Sequence, residues 1–204
     1  MGKYFNNYGN NNDSSTPVDD VGYIPPGWND WHGLMDQNTE GLRAFQMYNY
    51  TINENGTLVK YGNTATDYQT DVFARRASQF VDDAEGINDQ QPFFLLVAPT
   101  APHLEMPGPV MSGCSDSVWN ETIRPAPRHI GSLPDSIQLT RPPNFNEADM
   151  SDKPAWFRQV PALNSKDIGC LKRQYRDRLN SLRAVDDLVG NLIDALVRNG
   201  ELDN

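Results

Sequence analysis

The stretch PFFLLVAPTAPH at residues 92–103 constrains this chain more than any other. Its apolar run, 93–98, is too short for a buried helix and does not alternate, so it reads as a strand covered on both faces, as in a parallel sheet. Pro99 and Pro102 end any ladder there, because proline donates no backbone hydrogen bond and fixes its own φ. His103 is thereby delivered in a stiff loop at the carboxyl end of a core strand. Open α/β sheets bind their ligands at that end.

Around this run the chain is uneven. Residues 1–30 are polar and Asn-rich, with a turn marked at Pro25-Pro26-Gly27. Tyr48, Tyr50 and Ile52 alternate before Asn55-Gly56, and Leu58, Val59 and Tyr61 follow it, which predicts a hairpin over about 47–61 with a type I′ turn. Tyr68, Val72, Ala77, Phe80, Val81 and Ala84 predict a helix beginning at Thr66 or Asp67. Residues 104–164 hold nine prolines and little periodicity, the pattern of a long irregular excursion that is either a functional cover or disordered.

The last element is set by Ile168, Leu171, Tyr175, Leu179, Leu182, Val185, Val189, Ile193 and Leu196, recurring every three or four residues. They predict one helix over about 166–198, with Ser165 and Asp167 at its start and Asn199-Gly200 at its cap. About 30 residues of helix run about 45 Å, a length suited to lying across a large sheet. Asp186-Asp187 within it read as a solvated or hydrogen-bonded pair rather than as catalysts.

A net charge of −10 without a Lys/Arg cluster argues against a nucleic-acid partner, and no run approaches the roughly 18 apolar residues that span a bilayer. Cys114 and Cys170 cannot build a metal site alone; they could pair or stay free. Asn-x-Ser/Thr sequons at Asn12, Asn49, Asn55 and Asn120 point to glycosylation and to a secreted or lysosomal/vacuolar route. One core strand, one hairpin and two helices do not close a doubly covered sheet, since an isolated parallel strand leaves its backbone groups unpaired. The 204 residues are therefore expected to be an internal part of one larger α/β domain.

Read in order, GKYFNNYG at 2–9, IPPGWNDWHGL at 24–34, YNYTINENG at 48–56, DYQTDV at 67–72, PFFLLVAPTAPH and SLRAVDDLVGNLIDALVRNGELDN at 181–204 resemble the type I sulfatases. The resemblance is to the N-acetylglucosamine-6-sulfatase and fungal arylsulfatase branch. It implies an α/β fold, part of an alkaline-phosphatase-like sandwich with a mostly parallel central sheet. It also implies hydrolysis of sulfate monoesters, with a formylglycine nucleophile from a Cys-x-Pro-Ser-Arg segment before position 1 and calcium held by a segment after Asn204. Without those, residues 1–204 alone are expected to be inactive.

Carried over position by position, Lys3 matches the family lysine that contacts the sulfate and His103 the histidine near the leaving oxygen. A fixed cation and a proton donor suit the negative charge that develops there. Both side chains are expected in one cleft, within about 10 Å, because a bound anion spans only a few hydrogen-bond lengths. Many sulfatases carry a second histidine two positions after the lysine; here that position is Phe5. His32 and His129 match no site position and read as structural or substrate-rim residues. The alternatives are a two-metal phosphodiesterase or phosphonate hydrolase of the same superfamily, or a non-catalytic glycan-binding chain using Trp28, Trp31, Trp119 and Trp156.

Overall fold

The computed structural model describes residues 1–9, 22–36, 43–87, 92–105 and 109–203, without the side chains of 85–87. Asn12 lies outside the described residues. Three short strands, β1 (His32–Leu34), β2 (Thr51–Glu54) and β3 (Thr57–Lys60), form an antiparallel sheet in the order β1-β2-β3. The hairpin is present, with Glu54 opposite Thr57 and both turn residues at positive φ, 50° at Asn55 and 91° at Gly56. That is the geometry a two-residue type I′ connection needs. Tyr50 and Ile52 face the core, fully buried.

Beyond β1 the ladder continues through single residues. Gly2 bridges in parallel to both Gly33 and Ala98. Its N–H donates to the His32 carbonyl at 2.8 Å and its own carbonyl accepts from Leu34 N–H at 2.9 Å. On the other side Ala98 N–H donates to Met1 O at 3.0 Å and Lys3 N–H to Ala98 O at 2.8 Å. Gly2 has φ +107°, and a Cβ there would lie 2.2 Å from the Ala98 oxygen, so only glycine lets the two backbones approach.

Two expectations need correction. Residues 93–98 are not a strand buried on both faces: only Ala98 bridges, and Phe94 is 75% and Leu96 49% exposed. Nor do the described residues form a mostly parallel sheet; the parallel pairing is confined to the Gly2 bridges. The physical reason is shared. A strand is regular only where a neighbouring segment pairs along its length, and among the described residues the backbone of 93–98 bonds only to residues 1–3.

The helices form as their sequences dictate. Thr64 and Asp67 close a capping box on a 3-10 turn at Ala65–Asp67, leading into α1 (Gln69–Ile87). Among the described residues of 104–164, a 3-10 turn at Pro127–His129 and one short helix, α2 (Ala155–Arg158), are the helical pieces. In α3 (Ser165–Asn199) the Asn164 side chain accepts from the N–H groups of Lys166 and Asp167, and Gly200 at φ 78° ends the helix in the left-handed conformation. The expected bounds hold, but the expected face is rotated. Cys170, Gln174, Ser181, Ala184, Leu188 and Ala195 are buried, whereas Leu182, Val189 and Ile193 are exposed. Small residues win the inner face because α3 packs closely on α1, where Ala74 and Ala77 are buried in turn.

Leu34, Tyr50, Ile52, Val72, Phe73 and Leu188 make the main core, which joins hairpin, α1 and α3. Arg76 on α1 donates to both oxygens of Glu54 on β2, tying the hairpin to the helix. Cys114 and Cys170 form a disulfide that fastens the excursion to the start of α3. Among the described residues no helix is long and apolar enough to cross a membrane.

Candidate active site

Lys3 emerges directly after the Gly2 bridge, and its own N–H is held by the Ala98 carbonyl. Its ammonium pairs with Asp36 at 3.0 Å, with both side chains largely covered (16% and 13% exposed), and donates to the Phe5 carbonyl at 2.7 Å. It also lies 5.6 Å from the centre of the Phe45 ring, within range of a cation–π attraction. Asp36 follows β1 and additionally accepts the Asn7 N–H at 3.1 Å.

His103 reaches the same ring from the far side of the sequence. Its N–H donates to Thr100 O at 2.8 Å, closing a turn that contains Pro102. The imidazole stacks on Phe45 at 4.2 Å between centroids and 27° between planes. Nδ1 is 2.6 Å from the Leu104 carbonyl. A carbonyl can only accept, so Nδ1 carries the hydrogen and Nε2 is the nitrogen left for chemistry.

Two charged residues brace the turn. Arg178 on α3 donates to Pro102 O at 3.2 Å. Glu105, buried, accepts Met47 N–H at 3.0 Å and pairs with Arg124 at 3.1 Å. The Lys3 ammonium and the His103 imidazole, 100 residues apart, thus share one aromatic neighbour. Through that ring, legs of 5.6 and 4.2 Å hold them within about 10 Å of each other.

Phe45 and Asp36 were not visible to sequence reasoning. Each meets Lys3 or His103 only across a long stretch of chain, and neither stands in a pattern that marks it. Phe5 is exposed, its ring tilted at 49° against that of Tyr4 with 4.3 Å between centroids. His32 is buried with Nε2 3.0 Å from Asp30, and His129 is buried with Nε2 2.7 Å from Asp187, so each is held by a carboxylate rather than joining Lys3. Asp187 also accepts from Arg128, which forks onto Asp71 as well. Burial by itself raises the Asp187 carboxyl, but the His129 and Arg128 hydrogen bonds outweigh it and hold the group below its ordinary value.

Asn49 and Asn55 are exposed and Asn120 half-buried. The Asn55 amide is already engaged, accepting Trp31 N–H and donating to Asp30, both at 2.7 Å. Trp28 packs beside buried Trp31, while Trp119 and Trp156 stand exposed on the excursion. Among the described residues no group of three His, Cys, Asp or Glu side chains could hold a metal, so none fits calcium. Cys114 and Cys170, being bonded to each other, offer no thiol.

A family model described as Sulfatase matches residues 3–204. N-acetylglucosamine-6-sulfatase of Capra hircus is 32% identical over 206 residues, covering 100% of this chain and 31% of that protein. Arylsulfatase of Volvox carteri is 32% identical over 186 residues, 89% of this chain and 27% of its own length. The putative extracellular sulfatase Sulf-1 homolog of Caenorhabditis elegans is 30% identical over 205 residues, 100% and 24%. The chain spans less than a third of the length of these curated relatives. No solved structure matches it.

Proposed function

We propose that this chain, which belongs to the sulfatase family, is an internal part of the catalytic domain of a sulfuric ester hydrolase, with Lys3 and His103 at the sulfate. One observation carries the site: an ammonium and an imidazole from distant parts of the sequence converge on the Phe45 ring. Cleavage of a sulfate monoester breaks the bond between sulfur and the ester oxygen and leaves negative charge on that oxygen. Lys3 offsets charge on the sulfate. His103, as an imidazolium whose Nδ1–H is held by Leu104 O, delivers its Nε2 proton to the leaving oxygen and is left as the neutral Nδ1–H imidazole.

The family resemblance assigns attack on sulfur to a formylglycine and charge neutralisation to calcium. Neither fits the residues described. Residues 1–204 alone are accordingly expected to be silent. The exposed apolar side chains of Phe94, Leu96, Leu182, Val189 and Ile193 support a larger domain. In it, residues 93–98 would be one strand of a mostly parallel sheet within an alkaline-phosphatase-like sandwich. The relatives' names favour an aryl sulfate or a glycan bearing glucosamine 6-sulfate as substrate. The Cys114–Cys170 disulfide and the exposed sequons at Asn49 and Asn55 support a secreted or lysosomal/vacuolar location.

The test is steady-state hydrolysis of 4-nitrophenyl sulfate and glucosamine 6-sulfate by the full-length protein. Lys3→Ala and His103→Ala are each expected to lower kcat/KM on glucosamine 6-sulfate by about a hundredfold or more. Turnover unchanged in both variants would remove the site assignment.

A further inference from the structure

Gln69 opens α1 and is wholly buried, at 0% exposure. A buried primary amide brings two donors and an acceptor that must all be satisfied, and a leucine of similar size would satisfy none of its polar neighbours. Nε2 donates to the carbonyls of Ala44 at 3.0 Å and Gln46 at 2.9 Å, the residues on either side of Phe45. The backbone N–H of Gln69 reaches Met47 O at 3.0 Å, extending the grip by one residue. Oε1 accepts the Thr100 hydroxyl at 2.6 Å. Thr100 in turn starts the turn that ends at His103, through the 2.8 Å bond from His103 N–H.

One side chain therefore ties the segment that presents Phe45 to the turn that presents His103, and the two rings stack where those pieces meet. Glu105, holding Met47 N–H, closes the same loop from its other end. Phe45 is in turn the residue that Lys3 meets. We infer that Gln69 and Thr100 are positioning residues, which set the His103 imidazole against Phe45 and so at a fixed distance from Lys3 for proton delivery. The inference rests on the reading of His103 as proton donor to the leaving oxygen. A proton donor displaced by an ångström loses much of its advantage, and that loss falls on kcat.

The test uses the full-length protein with two substrates. Glucosamine 6-sulfate leaves as a sugar alkoxide that needs a proton, whereas 4-nitrophenolate is a stable anion that does not. Thr100→Val keeps the shape and removes the hydroxyl; Thr100→Ser restores it. Thr100→Val is expected to lower kcat on glucosamine 6-sulfate about tenfold, with KM within about twofold and little change on 4-nitrophenyl sulfate. Thr100→Ser is expected to recover most of the loss. If the valine variant does not fold, Thr100→Ala gives the same comparison. Equal losses on both substrates, or none on either, would overturn the positioning role. His103→Ala run alongside separates the two ideas: a substrate-selective loss there with none in Thr100→Val sinks only the positioning, whereas no selectivity in His103→Ala sinks the proton-donor reading itself.

Discussion

The long helix α3 and the 93–98 run are both rich in apolar residues, yet they hold their backbones in opposite ways. From the Asn164 cap to Gly200, α3 satisfies its N–H and carbonyl groups within itself. Among the described residues, the backbone bonds of 93–98 run to Met1 and Lys3, more than ninety positions away. A helix carries its hydrogen-bond partners four residues off; a strand has only those that other segments bring. The first is ordered by its own sequence and the second by its company.

The comparison can be broken most forcefully at the disulfide, which lends α3's order to the excursion. Cys114 and Cys170 close a loop with a sequence separation of 56, and replacing both with serine is expected to cost about 4 kcal/mol in urea unfolding. Hydrogen exchange should then loosen residues 109–121 while α3 stays protected. Loss of protection in α3 itself would show that the helix also depends on company.

Next in size is a pair of truncations. Leu188→Ala removes a core side chain packed between α1 and α3 and is expected to cost about 3 kcal/mol. Leu96→Ala, on the exposed run, is expected to cost under about 1 kcal/mol in this chain. Equal costs would erase the distinction. In the full-length protein the gap should narrow if further strands cover residues 93–98, as proposed.

A smaller effect isolates the helix's self-sufficiency. Asn164→Ala deletes the side chain that accepts from Lys166 and Asp167, and about 1 kcal/mol of stability should go with it. Unchanged unfolding would show that tertiary contacts, rather than the cap, start α3. The smallest effect depends on pH. Asp187 is held below the ordinary carboxylate value in the folded state, so its contribution is present above about pH 4 and fades as pH falls through the lowered value. Its side chain is 42% exposed, which keeps the effect modest. The melting-temperature difference between the native chain and Asp187→Asn should shrink on acidification; a difference that grows in acid would reverse the assignment.

The same contrast explains what was legible in the sequence. The hairpin and both ends of α3 rest on local chemistry, and the structure has the turn dipeptide and the Gly200 cap in place, with Asn164 rather than Ser165 capping the start. The inner face of α3 does not. Apolar periodicity points to Leu182, Val189 and Ile193, but close approach to α1 selects Ser181, Ala184 and Ala195 instead. At the candidate site, His103 was marked by its place after the apolar run and then by family resemblance, whereas Lys3 came through the resemblance alone. Asp36, Phe45 and Gln69 were silent because each acts across intervening chain, and a residue's neighbours in space leave no mark on its neighbours in sequence.

Gly2 carries a consequence for anyone mapping this site by mutation. With a Cβ placed 2.2 Å from the Ala98 oxygen, every substitution there pries residues 1–3 away from Ala98 and carries Lys3 with them. A saturation library scored by turnover would rank position 2 as intolerant as position 3. The two failures would differ in kind: at position 3 a chemical group is missing, whereas at position 2 the group is present at the wrong address. A small alkylammonium such as ethylammonium is expected to restore part of the first kind of loss when it diffuses into the gap left by Lys3→Ala. No added cation is expected to restore the second, because the seam itself has opened.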